Sequence, residues 1–97
     1  MRINITEEAA LQIRRAASGE PGEATLRLAA RREGDALDFG MGFDRERPGD
    51  ARLPFEGARV VVAEASRELL EDALLDYREV APGEFRFVLA AAGEGEA

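Results

Sequence analysis

The chain has 97 residues and a net charge of −7, from 20 acidic and 13 basic residues, and it contains no cysteine and no histidine. Disulfides, thiolate-held iron–sulfur clusters and cysteine- or histidine-ligated zinc therefore lie outside its own chemistry. The basic residues are all arginines and alternate with acids, as in Arg45-Glu46-Arg47, which argues for a solvated surface with local ion pairs rather than a nucleic-acid or anionic-membrane binder.

Met1 to Ile5 runs straight into a helix start at Thr6-Glu7-Glu8. The Thr6 hydroxyl can cap, and the two glutamates sit where the helix dipole favours negative charge. Ala10, Ile13 and Ala17 recur at helical spacing, Arg14 and Arg15 fall near the C-terminal end, and Ser18-Gly19 closes the helix. Ala24 to Ala30 alternates as a half-buried strand, with Leu26 and Leu28 inward and Thr25 and Arg27 outward. Arg31 to Asp35 reads as a polar loop.

The cleanest alternation follows, with Leu37, Phe39, Met41 and Phe43 on one face. Gly40 and Gly42 on the other face predict a bulge or a close backbone approach. Arg47-Pro48-Gly49-Asp50 is a turn, and Leu53 to Gly57 reads as a short edge strand and turn because Pro54 has no amide donor. Val60-Val61-Val62 is a buried strand, and Ser66 is placed to cap a second short helix bearing Leu69 and Leu70. Leu74 to Val80 and Phe85 to Leu89, joined by Pro82-Gly83, form a hairpin. Residues 1–90 are expected to form one domain and residues 91–97, small and acidic, a flexible tail. Strands that follow one another without intervening helices point to an α+β, mostly β fold rather than a doubly wound parallel sheet. No run is long and apolar enough to span a membrane or serve as a signal, so a cytoplasmic location is expected.

Catalysis is not expected. Ser18 and Ser66 sit at helix ends, there is no lysine for a phosphate loop, and the paired acids Glu7-Glu8 and Glu71-Asp72 are helix neighbours that do not face each other. The aromatic and methionine face is explained by core packing, and Tyr77 by a ring packed inward with its hydroxyl at the rim.

In order and spacing the chain resembles the HesB-like, A-type iron–sulfur carrier family over nearly its whole length. Ile5-Thr6 with Ala9-Ala10 is similar to that family's opening. Phe39-Gly40-Met41-Gly42-Phe43-Asp44, followed by Gly49-Asp50, is similar to its aromatic second strand. Val60-Val61-Val62, Ser66, Leu70 and Leu75-Asp76-Tyr77 resemble the strand–helix–strand that follows, and Phe85-Arg86-Phe87 its last strand. The resemblance implies a HesB-like fold, with mixed strands in a compact sandwich or half-barrel flanked by an N-terminal helix and a second short helix.

Family members place one cysteine before the aromatic strand and two in a C-terminal Cys-Gly-Cys. Here the first position falls on Gly34 or Asp35, and Glu94-Gly95-Glu96 has the spacing of the second pair; a family glycine after the second helix is Asp72. The resemblance thus implies a carrier scaffold without its cluster ligands and with no cofactor. Such a non-enzymatic protein would act through contacts with iron–sulfur assembly proteins or as a homodimer. The alternative is a carboxylate metal site built from Asp35, Asp38, Glu94 and Glu96, since carboxylates suit harder cations than iron–sulfide cores do. An acidic tail of this length is far more often a solvated end.

Overall fold

Thr6 starts the first helix as its residue type predicts. Its hydroxyl accepts the Ala9 amide at 3.2 Å, and α1 (Glu7–Ser18) then buries Ala9 and Ile13. The computed structural model describes residues 1–20 and 24–90. Over these, a two-residue strand β1 (Asn4–Ile5) precedes α1, followed by β2 (Thr25–Glu33), β3 (Ala36–Phe43), β4 (Ala51–Arg52) and β5 (Arg59–Val62). A 3₁₀ turn (Glu64–Ser66) leads into α2 (Arg67–Leu70), and β6 (Leu74–Ala81) and β7 (Glu84–Ala90) close the order. The fold is the mostly β, α+β arrangement expected, in two sheets.

One sheet has the order β3-β2-β5-β4, in which β2 pairs antiparallel with β3 and parallel with β5; the other has the order β1-β6-β7. β1 is too short to show a period in sequence, and it exists because Asn4 and Ile5 lie parallel to Leu74 and Leu75. Ile13, Leu28, Leu70, Leu75, Val60 and Val62 are fully buried, so the core draws on α1, α2 and both sheets. Each such side chain contributes about 1.5–3 kcal/mol by leaving water. Val61 is equally buried but points to the opposite face of its sheet, in register with Arg27 and Arg52.

Several local expectations change. Arg31, Arg32 and Glu33 extend β2 instead of forming a loop, and only Gly34-Asp35 turns, with Glu33 opposite Ala36. A two-residue hairpin with glycine first and φ of +60° is the arrangement favoured by strand twist. Thr25 lies on the face of β2 that Arg27 shares, opposite Leu26, but it is buried there. Gly40 and Gly42 lie in an unbroken register and a Cβ at either would meet nothing within 4 Å, so neither marks a bulge or a close approach. The short edge strand comes earlier than Leu53, at Ala51–Arg52, while Leu53 donates its amide to Val60. Phe85 and Val80, at the outer end of the β6–β7 hairpin, are about half exposed rather than part of the core.

Asp72 follows α2 with φ of +61°, the only described non-glycine residue in the left-handed region. Its amide donates to the Arg2 carbonyl at 2.8 Å and its carbonyl accepts from Asn4 Nδ2 at 3.4 Å, which ties the chain start to the α2–β6 junction. A side chain there costs about 1–2 kcal/mol, against about 0.5–1 kcal/mol of extra unfolded-state entropy for glycine. Asp72→Gly is therefore expected to raise stability by about 0.5–1 kcal/mol, seen as a melting-temperature rise of roughly 3–6 °C. A lower melting temperature for the glycine variant would show that the aspartate side chain itself supports the turn.

Candidate functional site

The β2–β3 hairpin sets the first of the positions singled out in the sequence. Gly34 and Asp35 form its tip and are exposed. Asp38 is on the outward side of β3, its carboxylate 3.7 Å from Arg31 Nε, and Arg31 Nη2 also holds Glu33 at 2.8 Å. All three of these side chains are more than half exposed, so the pairs are weak and salt-sensitive. Glu94 and Glu96 lie outside the described residues. The structure therefore brings Asp35 and Asp38 to one end of the hairpin and has Asp38 share an arginine with Glu33. Among the described residues no group of three or more acids is arranged to hold a metal ion.

An iron–sulfide core needs soft anionic donors. The hairpin tip offers a glycine with no side chain and a solvated carboxylate. These residues do not fit such a cluster.

On the inner side of β3, Phe39, Met41 and Phe43 are half-buried against the core, as are Tyr77 and Phe87 from the other sheet. Tyr77 meets Phe87 edge-on, with centroids 4.9 Å apart, and stacks on Phe85 at 6.0 Å. Asp76, next to it, accepts the Thr6 hydroxyl at 2.7 Å and the Tyr77 amide at 2.8 Å. The Thr6 bond, then the Tyr77 amide, hold its carboxyl below the usual range. Thr6 thus caps α1 and pins it to β6 with one hydroxyl.

The acidic loop after β3 is neutralised locally. Asp44 takes Arg47 Nη2 at 3.1 Å, Glu46 takes Arg52 Nε at 3.0 Å, and Asp50 receives Arg27 through two bonds of 2.8 and 3.0 Å. Asp50 also accepts the Arg47 amide at 2.9 Å, and its side chain is 1% exposed. The Arg27 hydrogen bonds are the main reason its carboxyl falls to about 2.

Two of these features were missed from the sequence. Arg27 and Asp50 are opposite charges 23 positions apart, a pairing that only the β2–β5 register makes visible. Ser66, expected to cap α2, makes no capping bond. Its hydroxyl instead donates to the Ala30 carbonyl at 3.0 Å and accepts the Ala30 amide at 2.8 Å.

No family model and no curated protein matches the sequence. Solved structures do match. The crystal structure of IscA with the [2Fe-2S] cluster superposes with a TM-score of 0.75 at 19% identity, over 94% of this chain and 86% of that one. Escherichia coli SufA, described as involved in biosynthesis of iron–sulfur clusters, superposes with a TM-score of 0.75 at 19% identity, over 92% of this chain and 84% of its own. At this identity the likeness concerns the fold. The chain carries the HesB-like fold of the A-type carriers IscA and SufA on a sequence that has no cysteine.

Proposed function

We propose that this protein is a non-enzymatic, A-type-carrier-like domain that serves iron–sulfur assembly through protein contacts and does not itself carry a cluster. The observation behind this reading is the pairing of a full-length fold match to a cluster-bearing protein with a sequence that supplies neither thiolate nor imidazole. The position expected to hold the first ligand is a solvated Gly34-Asp35 turn, and the nearby Asp38 is engaged by Arg31. Carboxylates in that setting are hard, hydrated donors, mismatched to an iron–sulfide core.

Anaerobic incubation with ferrous iron and sulfide, followed by desalting, tests the first half. The expected product holds far less than one iron per chain and has no charge-transfer absorption. A stable, stoichiometric cluster would overturn the reading. The contact half is tested by titrating purified iron–sulfur assembly proteins into the isotopically labelled chain. Saturable amide shifts are expected, and an unchanged spectrum with every component would remove it.

A further inference from the structure

β3 is an edge strand, since its sheet runs β3-β2-β5-β4. The Asp44 amide donates to the Thr25 carbonyl at 3.0 Å, and the β2–β3 register runs unbroken from there to the Gly34-Asp35 turn. Antiparallel ladders alternate, so Ala36, Asp38, Gly40 and Gly42 direct their N–H and C=O toward β2. Leu37, Phe39, Met41 and Phe43 direct theirs away from it, to the open edge. Among the described residues none of these outward backbone groups has a partner.

Proteins usually blunt such an edge with brevity, proline, lysine or a bulge. β1 and β4 have two residues each, with Pro54 soon after β4, and the β6–β7 pairing shifts register between Glu79 and Ala81. β3 has eight residues and carries no proline, no lysine and no bulge. Its one charged side chain, Asp38, is engaged by Arg31 on the neighbouring strand.

We propose that two copies of this chain pair antiparallel along β3, with Gly40 of each on the two-fold axis, joining their sheets into one. The strand favours a second copy over another partner because this register is self-complementary. Leu37 lies opposite the partner's Phe43 and Phe39 opposite the partner's Met41, on the inner side where these side chains are only half-buried in one chain. On the outer side Asp38 meets the partner's Gly42, and Gly40 meets the partner's Gly40, so no like charges face each other. The residues with outward backbone groups fall opposite one another, and each such group gains a hydrogen bond. Just beyond the strand ends, Arg45 comes alongside the partner's Asp35. Both are exposed in the single chain, and opposite charges across strands are favourable. The pairing does not depend on any role in iron–sulfur assembly.

Sedimentation equilibrium of the full chain tests this, together with amide hydrogen exchange at several protein concentrations. A monomer–dimer equilibrium with a dissociation constant below about 0.1 mM is expected. The amides of Leu37, Phe39, Met41 and Phe43 should gain protection as concentration rises. A Cβ at Gly40 or Gly42 meets nothing within 4 Å in the single chain, so substitutions there leave it room to fold. Gly40→Asp sets two carboxylates face to face across the axis, and Gly42→Asp sets one against the partner's Asp38. Each should weaken association about fivefold or more. Gly40→Thr fills the same space without charge and should hold association within about twofold of the wild type or tighten it. Gly42→Arg, which faces a cation to Asp38, should strengthen association, and it reports on the register should the aspartate variants fail to fold. A chain that stays monomeric at about 1 mM, on the order of ten times the expected constant, would overturn the proposal. So would a dimer indifferent to the charge at positions 40 and 42. Protection of the four amides that does not change with concentration would show the edge covered within one chain, and would overturn it as well.

Discussion

Replacing Asp50 with alanine is expected to lower the stability of the domain by about 3 kcal/mol, at the low end of the range for breaking a buried ion pair. Asp50 is sealed at 1% exposure while Arg27 keeps 16%, so the stranded guanidinium can recover part of its hydration. The same change removes the acceptor for the Arg47 amide and loosens the turn that places β4 beside β5. For a domain of this size the melting temperature should fall roughly 10–20 °C. Protonation should mimic the substitution. The Asp50 carboxyl lies at about 2 when folded, below its ordinary value of 3.8. Its contribution is therefore complete above about pH 4 and disappears as pH falls through 2. The stability gap between the wild-type chain and Asp50→Ala should be constant from pH 7 to about pH 4 and close toward pH 2. A double variant, Arg27→Met with Asp50→Leu, should recover most of the loss, because an apolar pair of similar volume carries no desolvation cost. Equal stability of Asp50→Ala and wild type at pH 7 would show that the pair contributes nothing.

The Arg27–Asp50 pair also marks where the sequence stops being informative. The β3 alternation at Leu37, Phe39, Met41 and Phe43 reads correctly because a half-buried strand writes its period into neighbouring residues. Val60–Val62 reads correctly as a short continuous apolar run, buried throughout, and the β6–β7 hairpin through its local Pro82-Gly83 turn. β1 escapes notice because two residues carry no period, and its partner strand begins 70 positions later. Gly40 and Gly42 mislead for a different reason. A glycine in a strand reports only that no side chain is needed, and here the outer face of β3 is open. At the candidate site, the sequence shows that the donors at Gly34 and Asp35 are unsuited to a cluster. It does not show that Asp38 and Glu33 converge on Arg31, since that grouping is a product of strand pairing.

Replacing Ser66 with alanine is expected to cost about 2–3 kcal/mol, far more than the loss of a surface helix cap. β2 is flanked by β5 only from Thr25 to Leu28, and the Ala63 amide takes the Leu28 carbonyl as β5 ends. Two residues further along, Ala30 turns its N–H and C=O to the same side, away from β3. There the Ser66 hydroxyl stands in for a strand, donating to one group and accepting from the other. Alanine would leave both backbone groups without partners at a site where the serine is 3% exposed, and each such group costs about 1–3 kcal/mol when water cannot replace the bond. Partial burial of Ala30 lets water recover some of this, which keeps the total near the lower end of the sum. A fall in melting temperature of roughly 10–15 °C is expected, together with faster hydrogen exchange at the Ala30 amide than at other amides of β2. Unchanged exchange at Ala30 would show that the hydroxyl is not what protects it. Beyond Ala30 the β2–β3 hairpin is braced by its own ladder, out to the Gly34-Asp35 tip. Among the described residues the Ser66 hydroxyl is therefore the outermost hydrogen-bonded tie between β2 and the α2 region, and its loss should loosen the Gly34-Asp35 end of the hairpin first.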